Sequence, residues 1–209
     1  MLVSAEERVR IDAEIRAASD REEWNRAATL ALEAYGSEVL GFLLTQFRDS
    51  EQAADVFSEF SEQFWHSLPQ FEWRCSPRTW AYKLARNAAS RYRHGERHHA
   101  RAVQLTRPSE LSQAVERVRS RTSDYLRTEV KDRFQQLREE LPQDDQALLV
   151  LRVDRDMSWL ELAEVMLDGE SKADAPSLKK EAARLRKRYQ LVKERLRDMA
   201  RSAGLLPTV

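Results

Sequence analysis

Residues Ala53 to Arg93, AADVFSEFSEQFWHSLPQFEWRCSPRTWAYKLARNAASRYR, decide how the chain folds. They read as two helices joined by a short loop. In the first, Val56, Phe57, Phe60 and Phe64 recur at i, i+3/i+4 and i+7, which at about 100° per residue puts them on one helix face. Asp55, Glu59 and Glu62 fall together on the opposite face and predict an acidic stripe. The loop Trp65 to Pro77 carries Leu68, Phe71 and Trp73 and leaves through Cys75-Ser76-Pro77, with Ser76 as N-cap and Pro77 at N1 of the second helix. That helix is expected to turn Trp80, Ala81, Leu84 and Ala88 inward, and Tyr82, Lys83, Arg86, Ser90 and Arg93 outward.

The rest of the chain is built in the same way. Asp20 and Glu23 read as a capping pair before a helix with Trp24, Ala27, Leu30 and Ala31 on one side. Tyr35-Gly36-Ser37 leads into Val39, Leu40, Phe42, Leu43 and Phe47, ordinary core spacing for a helical bundle. Thr106 to Thr122 reads as a linker, because Leu111, Val115 and Val118 give only weak periodicity among Arg and Ser. Strong periodicity returns with Leu126, Val130, Phe134, Leu137 and Leu141, and Pro142 opens a helix whose core face is Leu148, Leu149 and Leu151. Ser158-Trp-Leu-Glu161 is a capping box, with Met157 and Leu162 at its N′ and N4 staple positions. A long helix begins near Ser177, with Leu178, Ala182, Leu185, Tyr189, Val192 and Leu196 as its apolar stripe and Lys and Arg over the rest. A short capped helix, a turn and a basic helix is the order of a helix-turn-helix.

Composition bounds the function. The chain has 209 residues, 33% of them charged, only 5 Gly and a formal net charge of zero. This is a helix-rich and sheet-poor composition with room for one large or two small domains. The charge is unevenly spread: acidic before Arg74, basic from Arg74 to Arg107 and again from Lys179 to Arg201, which predicts separate surfaces for separate partners. The one cysteine, Cys75, excludes an internal disulfide and fits a reducing cytosol. No apolar h-region opens the chain and no apolar run approaches the ~20 residues of a membrane span, so a cytoplasmic protein without membrane insertion is expected. His94, His98 and His99 sit among Arg91, Arg93, Arg97, Arg101 and Arg107, but no second Cys or nearby carboxylate pair completes a zinc site. A basic helix end meeting phosphates is the expectation there, with no metal and no cofactor. No Gly-rich phosphate loop, H-E-x-x-H motif or Ser/His/Asp arrangement points to catalysis.

The stretch Ala53 to Trp65 resembles the A-E-D-hydrophobic-hydrophobic-Q-E-x-F-x-x-hydrophobic-W pattern of region 2 in bacterial sigma factors of the extracytoplasmic-function (ECF) class. Thr79 to Asn87 resembles the same region's A-W-L-Y-x-I-A-x-N signature. Ala54, Ser58 and Ser61 stand where the pattern usually has Glu, Gln and Phe. Downstream, Leu137 to Leu151, Ser158 to Val165, and Leu178-Lys179 through Arg184 and Arg186 resemble successive segments of sigma region 4. The turn Asp168 to Pro176 is longer than the three or four residues usual there, so the recognition helix is expected to be re-aimed.

The resemblance implies two helical domains joined by a linker: an N-terminal extension over 1–24, region 2 over 25–100, a linker over 101–124 and region 4 over 125–205. It implies a dissociable initiation subunit of RNA polymerase. Asp55, Ser58, Glu59 and Glu62 would dock on a basic coiled coil of the β′ subunit, and region 4 on the β flap. Arg74, Arg78, Lys83, Arg86, Asn87 and Arg93 would hold the melted −10 element, with one base extruded into a pocket of the loop Ser67 to Arg74. Ser177, Lys179, Lys180 and Arg184 would reach the −35 duplex in the major groove, while Arg186, Lys187 and Arg188 touch its phosphates. The linker from Arg97 to Ser123 would thread toward the RNA exit path. An anti-sigma partner is a further expectation of the class; a small-molecule substrate is not. The alternative is a freestanding helix-turn-helix regulator, which accounts for the C-terminal half and leaves the acidic stripe and the Trp80 to Asn87 segment unexplained.

Overall fold

Helix α3 (Ser50–Ser67) forms where the apolar spacing places it. Asp49 caps it, accepting the Glu51 amide at 2.8 Å. Its apolar face disappears into the core: Val56, Phe57, Phe60 and Phe64 are all buried, and the rings of Phe57 and Phe64 lie 5.6 and 6.0 Å from that of Phe60. Burying each phenyl ring contributes about 2–3 kcal/mol. The computed structural model describes residues 4–47, 49–95, 109–126, 133–167 and 174–206. Every regular element among them is helical, so the fold is all-α, in line with the helix-rich composition. By its internal contacts the chain divides into two units, Met1–Thr128 and Glu129–Val209.

In the first unit α2 (Trp24–Gln46) is the central element, packed against α1 (Ala5–Asp20), α3, α4 (Pro77–Arg93) and α5 (Ser109–Leu126). Helices on several sides make a helix apolar around most of its circumference. That is why α2 is long and apolar enough, by length and composition, to cross a membrane, yet is mostly buried inside the bundle. Helix α1, within the expected N-terminal extension, is a packed helix with Ile15 and Ala18 in the core. The expected Asp20–Glu23 capping pair does not form. Asp20 lies inside the last turn of α1 and accepts from Arg16 Nε at 3.2 Å, and α2 starts without a side-chain cap bond.

Residues 109–124 of the expected linker lie in α5 (Ser109–Leu126), which packs on α2. Leu111, Ala114, Val115 and Val118 are buried, a narrow apolar face that Ala114 completes. The close approach depends on Gly36: a Cβ there would lie 2.9 Å from Val118 Cγ2. Residues 101–108 of the expected linker lie outside the described residues.

The second unit contains α6 (Arg133–Glu139), α7 (Gln143–Leu149), a π turn at Val150–Asp154, α8 (Trp159–Met166) and α9 (Ala175–Ser202). Leu141, Leu149 and Val192 form one core cluster, with Tyr189, Leu196 and Met199 packed against it. The capping box at α8 is present in both directions: Ser158 N donates to Glu161 Oε2 at 2.7 Å and Glu161 N to Ser158 Oγ at 3.3 Å. Met157 and Leu162, the staple pair, are both fully buried. Helix α9 begins two residues before the expected Ser177, capped by Asp174, and buries Ala182, Leu185 and Val192 of the predicted stripe.

Candidate nucleic-acid interface

The loop between α3 and α4 is an aromatic cluster. Pro69 sits in a 3-10 turn, Leu68–Gln70, that closes α3 and starts the loop. Phe71 stacks on Trp80 of α4 at 5.5 Å and 20°, and Trp73 leans on Phe71 at 4.8 Å. Trp80 Nε1 donates to Ser67 Oγ at 3.1 Å, tying the two ends of the loop together. The exit is as predicted: Ser76 Oγ accepts the Thr79 amide at 3.1 Å, with Pro77 at the first helical position. Phe71 is buried, while Trp73 and Trp80 are partly exposed. Flat aromatic faces beside a basic helix are the two parts of a single-strand binding surface.

Helix α4 is rotated from the expected orientation. Its inner face is Arg78, Ala81, Tyr82, Ala85, Ala88 and Ala89, whereas Trp80 and Leu84 are partly exposed. Tyr82 is fully buried, its ring edge-on to Phe42 at 5.7 Å. Arg78 goes inward with it. Its Nε and Nη2 donate to Glu38 Oε2 at 2.9 and 2.7 Å, and Tyr82 Oη donates to the same oxygen at 3.2 Å. An apolar count along α4 misses this, because an Arg can be interior only when α2 supplies a buried carboxylate. Beside this network Tyr35 Oη donates to Asp12 Oδ1 at 2.7 Å. Burial pushes both groups above their ordinary values: the Asp12 carboxyl, against the pull of the Tyr35 hydrogen bond and of Arg78 and Arg8, and the Tyr35 phenol with the help of its bond to Asp12.

The other expected −10 residues divide by exposure. Lys83 is buried, its ammonium 5.9 Å from the Trp80 ring. Arg86 and Asn87 are partly exposed. Arg74 is exposed on the loop and pairs with Glu72 at 2.9 Å. Arg93 is exposed at the far end of α4, over the Phe47 ring at 5.9 Å. The structure therefore places Arg74 and Arg93 at opposite ends of a helix about 25 Å long, with the aromatic cluster at the Arg74 end. His94 Nδ1 lies 2.7 Å from Ser90 O. Arg97, His98, His99, Arg101 and Arg107 lie outside the described residues.

The acidic positions of α3 do not form one solvated stripe. Asp55 is exposed. Glu59 turns toward α4, where Arg91 Nε and Nη2 donate to its Oε1 at 3.3 and 3.1 Å. Glu62 and Ser58 are buried, with His66 Nε2 3.7 Å from Glu62. Glu59 and Glu62 share the Asp55 side of the helix but lie about one and two turns further along its axis, where neighbouring side chains such as Arg91 of α4 cover them. Glu51, one turn before Asp55, is exposed and shares its side of the helix; position i−4 on the same face was the signal for it.

In the second unit, Ser177, Lys179, Lys180, Arg184, Arg186 and Lys187 are all exposed along the first half of α9. Ser177 N donates to the Asp174 cap at 2.9 Å, and hydrogen bonds from the Ser177 side chain and then its backbone lower the Asp174 pKa. Arg184 is held by Glu181 at 2.8 and 2.6 Å, and Arg188 by Asp145 at 2.6 Å. Arg186 and Arg152 lie over the Trp159 ring at 5.7 and 5.1 Å, with Tyr189 edge-on at 5.6 Å, so α8 and α9 are joined through Trp159.

Residues 31–99 match the family model of sigma-70 region 2. The matched segment opens within α2 and takes in α3, the aromatic loop and α4. The match covers about a third of the 209 residues. No curated protein and no solved structure matches the chain. Helix α1 lies before the matched residues and α5 after them, yet both pack on α2, within which the match opens.

Proposed function

We propose that the protein is a sigma factor of the ECF class, which binds core RNA polymerase, recognises −35 and −10 promoter elements, promotes DNA melting and starts transcription without catalytic residues of its own. The observation that carries this reading is the coincidence of the region 2 match with the aromatic loop: Phe71, Trp73 and Trp80 gather where the matched segment has its helix junction, flanked by Arg74. Melted strand would lie along the loop and the exposed side of α4, its bases on the aromatic faces and its phosphates on Arg74, Arg86 and Arg93, with Asn87 bracing the loop. Arg78 and Lys83 are buried and act in this reading by holding α4 in place. Asp55, with Glu51 one turn earlier, is the exposed acidic ground for a basic coiled coil of β′; Glu59, Glu62 and Ser58 support that face from within. Complementary charge of this kind sets register and speeds association.

The second unit would read the −35 duplex as region 4, with Ser177, Lys179, Lys180 and Arg184 toward the major groove, Arg186, Lys187 and Arg188 toward phosphates, and the β flap as its polymerase contact. The protein would work in the cytoplasm, under an anti-sigma partner. Run-off transcription with core polymerase on a promoter library tests the whole reading. Initiation at a defined subset, dependent on this protein, is the expected result. Tight, sequence-specific duplex binding by the protein alone, without core binding, would instead identify a freestanding helix-turn-helix regulator.

A further inference from the structure

Trp73 is the least comfortable residue of the aromatic loop. Its φ of 57° is a left-handed conformation that a bulky side chain adopts only when its surroundings impose it. Phe71 supplies one contact. The other comes from outside region 2: the guanidinium of Arg16, on α1, lies over the Trp73 ring at 4.5 Å. Arg16 is itself held. Its Nε donates to Asp20, one turn later on the same helix. Helix α1 is anchored to the bundle by buried Ile15 and Ala18 and by the Tyr35–Asp12 hydrogen bond. A continuous set of contacts thus runs from α2 through α1 and Arg16 to Trp73, and on through Phe71 to Trp80 of α4.

We propose that α1 is the support of the aromatic loop, with Arg16 a positioning residue that holds Trp73 in the conformation needed to present the partly exposed Trp73 and Trp80, backed by the buried Phe71, to an unpaired base. The base-binding part rests on the −10 reading above; the support itself does not. A planar guanidinium can cover an aromatic face while its charge stays half in solvent, and Lys reproduces the charge without the flat stack. Arg16 acts through Trp73 and does not touch phosphate.

The test uses the full-length chain carrying Arg16→Ala, Arg16→Lys or Trp73→Gly, with two readouts. Hydrogen exchange of peptides covering 68–76 measures the loop. Binding of a fluorescein-labelled non-template single strand, taken from a promoter found by run-off and presented to the polymerase complex, measures the platform across a salt series. Arg16→Ala and Arg16→Lys should both raise exchange in 68–76 while leaving α2 and α4 protected. Both should weaken strand binding by roughly 2- to 5-fold, the worth of a half-exposed cation–π contact, with an unchanged salt slope. Trp73→Gly, free to keep the left-handed backbone, should lose strand binding with the same slope. Unchanged loop exchange in a folded Arg16→Ala protein would overturn the proposal. So would full rescue by Lys, or a salt slope lower by about 0.7, the value of one phosphate on a single strand. If the wild-type complex fails to hold the strand while Arg16→Ala still loosens the loop, the −10 reading falls and the supporting role of α1 stands.

Discussion

Arg78 shows how much one buried charge pair decides. Its guanidinium and the Glu38 carboxylate are both buried, joined by two short hydrogen bonds and closed by Tyr82. Removing either partner breaks a buried ion pair, at a cost of about 3–5 kcal/mol. Arg78→Ala and Glu38→Ala should each lower the unfolding free energy by that amount in denaturant titrations, and the double variant should lose less than the sum. Asp12 carries a pH dependence of known sign. Its carboxyl titrates above its ordinary 3.8 because burial disfavours the charged form. The native chain therefore binds this proton more tightly than the unfolded chain. The stability it brings is fully present below pH 3.8, is lost as pH rises through the raised native value, and stays level above it. Asp12→Asn keeps an acceptor for Tyr35 and removes the titration. Urea midpoints from below pH 3.8 to neutrality should show the variant gaining on wild type over that window and then running parallel. Tyr35, shifted upward from its ordinary 10.0, adds a loss of stability as pH rises through its raised native value.

At the scale of elements, two contacts separate structural from docking roles. Gly36 lets α5 lie against α2, and a methyl group there would meet the stiff Val118 side chain. Gly36→Ala gains up to about 1 kcal/mol of helix propensity and loses about 1–3 kcal/mol to overpacking. It should be net destabilising in denaturant unfolding, and Val118→Ala should restore much of the loss by opening the space. On α3, Glu51 and Asp55 are exposed, whereas Glu59 is tied to Arg91 of α4. Reversing charge with Glu51→Lys and Asp55→Lys should weaken core polymerase binding at least tenfold with helicity and melting temperature intact. Glu59→Lys should instead lower the melting temperature, because it faces Arg91. Equal binding by the Glu51/Asp55 double variant would remove the docking role from this face.

Over the whole molecule, the two basic stretches act on different forms of DNA in the proposed function. Lys179 and Lys180 are exposed at the start of α9 and Arg184 is braced by Glu181. Lys179→Ala with Lys180→Ala should reduce duplex −35 binding by the polymerase complex. The salt slope should fall by about 0.9 for each phosphate that is no longer neutralised, while single-strand binding at the aromatic loop stays unchanged. Much of this molecule is determined by its sequence alone. The apolar spacing of Val56 to Phe64, the Ser76-Pro77 start, the Ser158–Glu161 box and the stripe of α9 are local patterns, and local patterns specify helices, caps and the face each helix buries. The first two of these patterns lie within residues 31–99, which match the family model of sigma-70 region 2. Tertiary structure decided what depends on a partner far along the chain. Arg78 is interior because Glu38 meets it from 40 residues away; Glu59 is paired with Arg91; Leu111 to Val118 become core because Gly36 opens α2 to them; and Arg16 reaches Trp73 only through the packing of α1. Charge and hydropathy are properties of a residue, but whether a charge is solvated or paired is a property of its neighbours, and those are known only once the helices are packed.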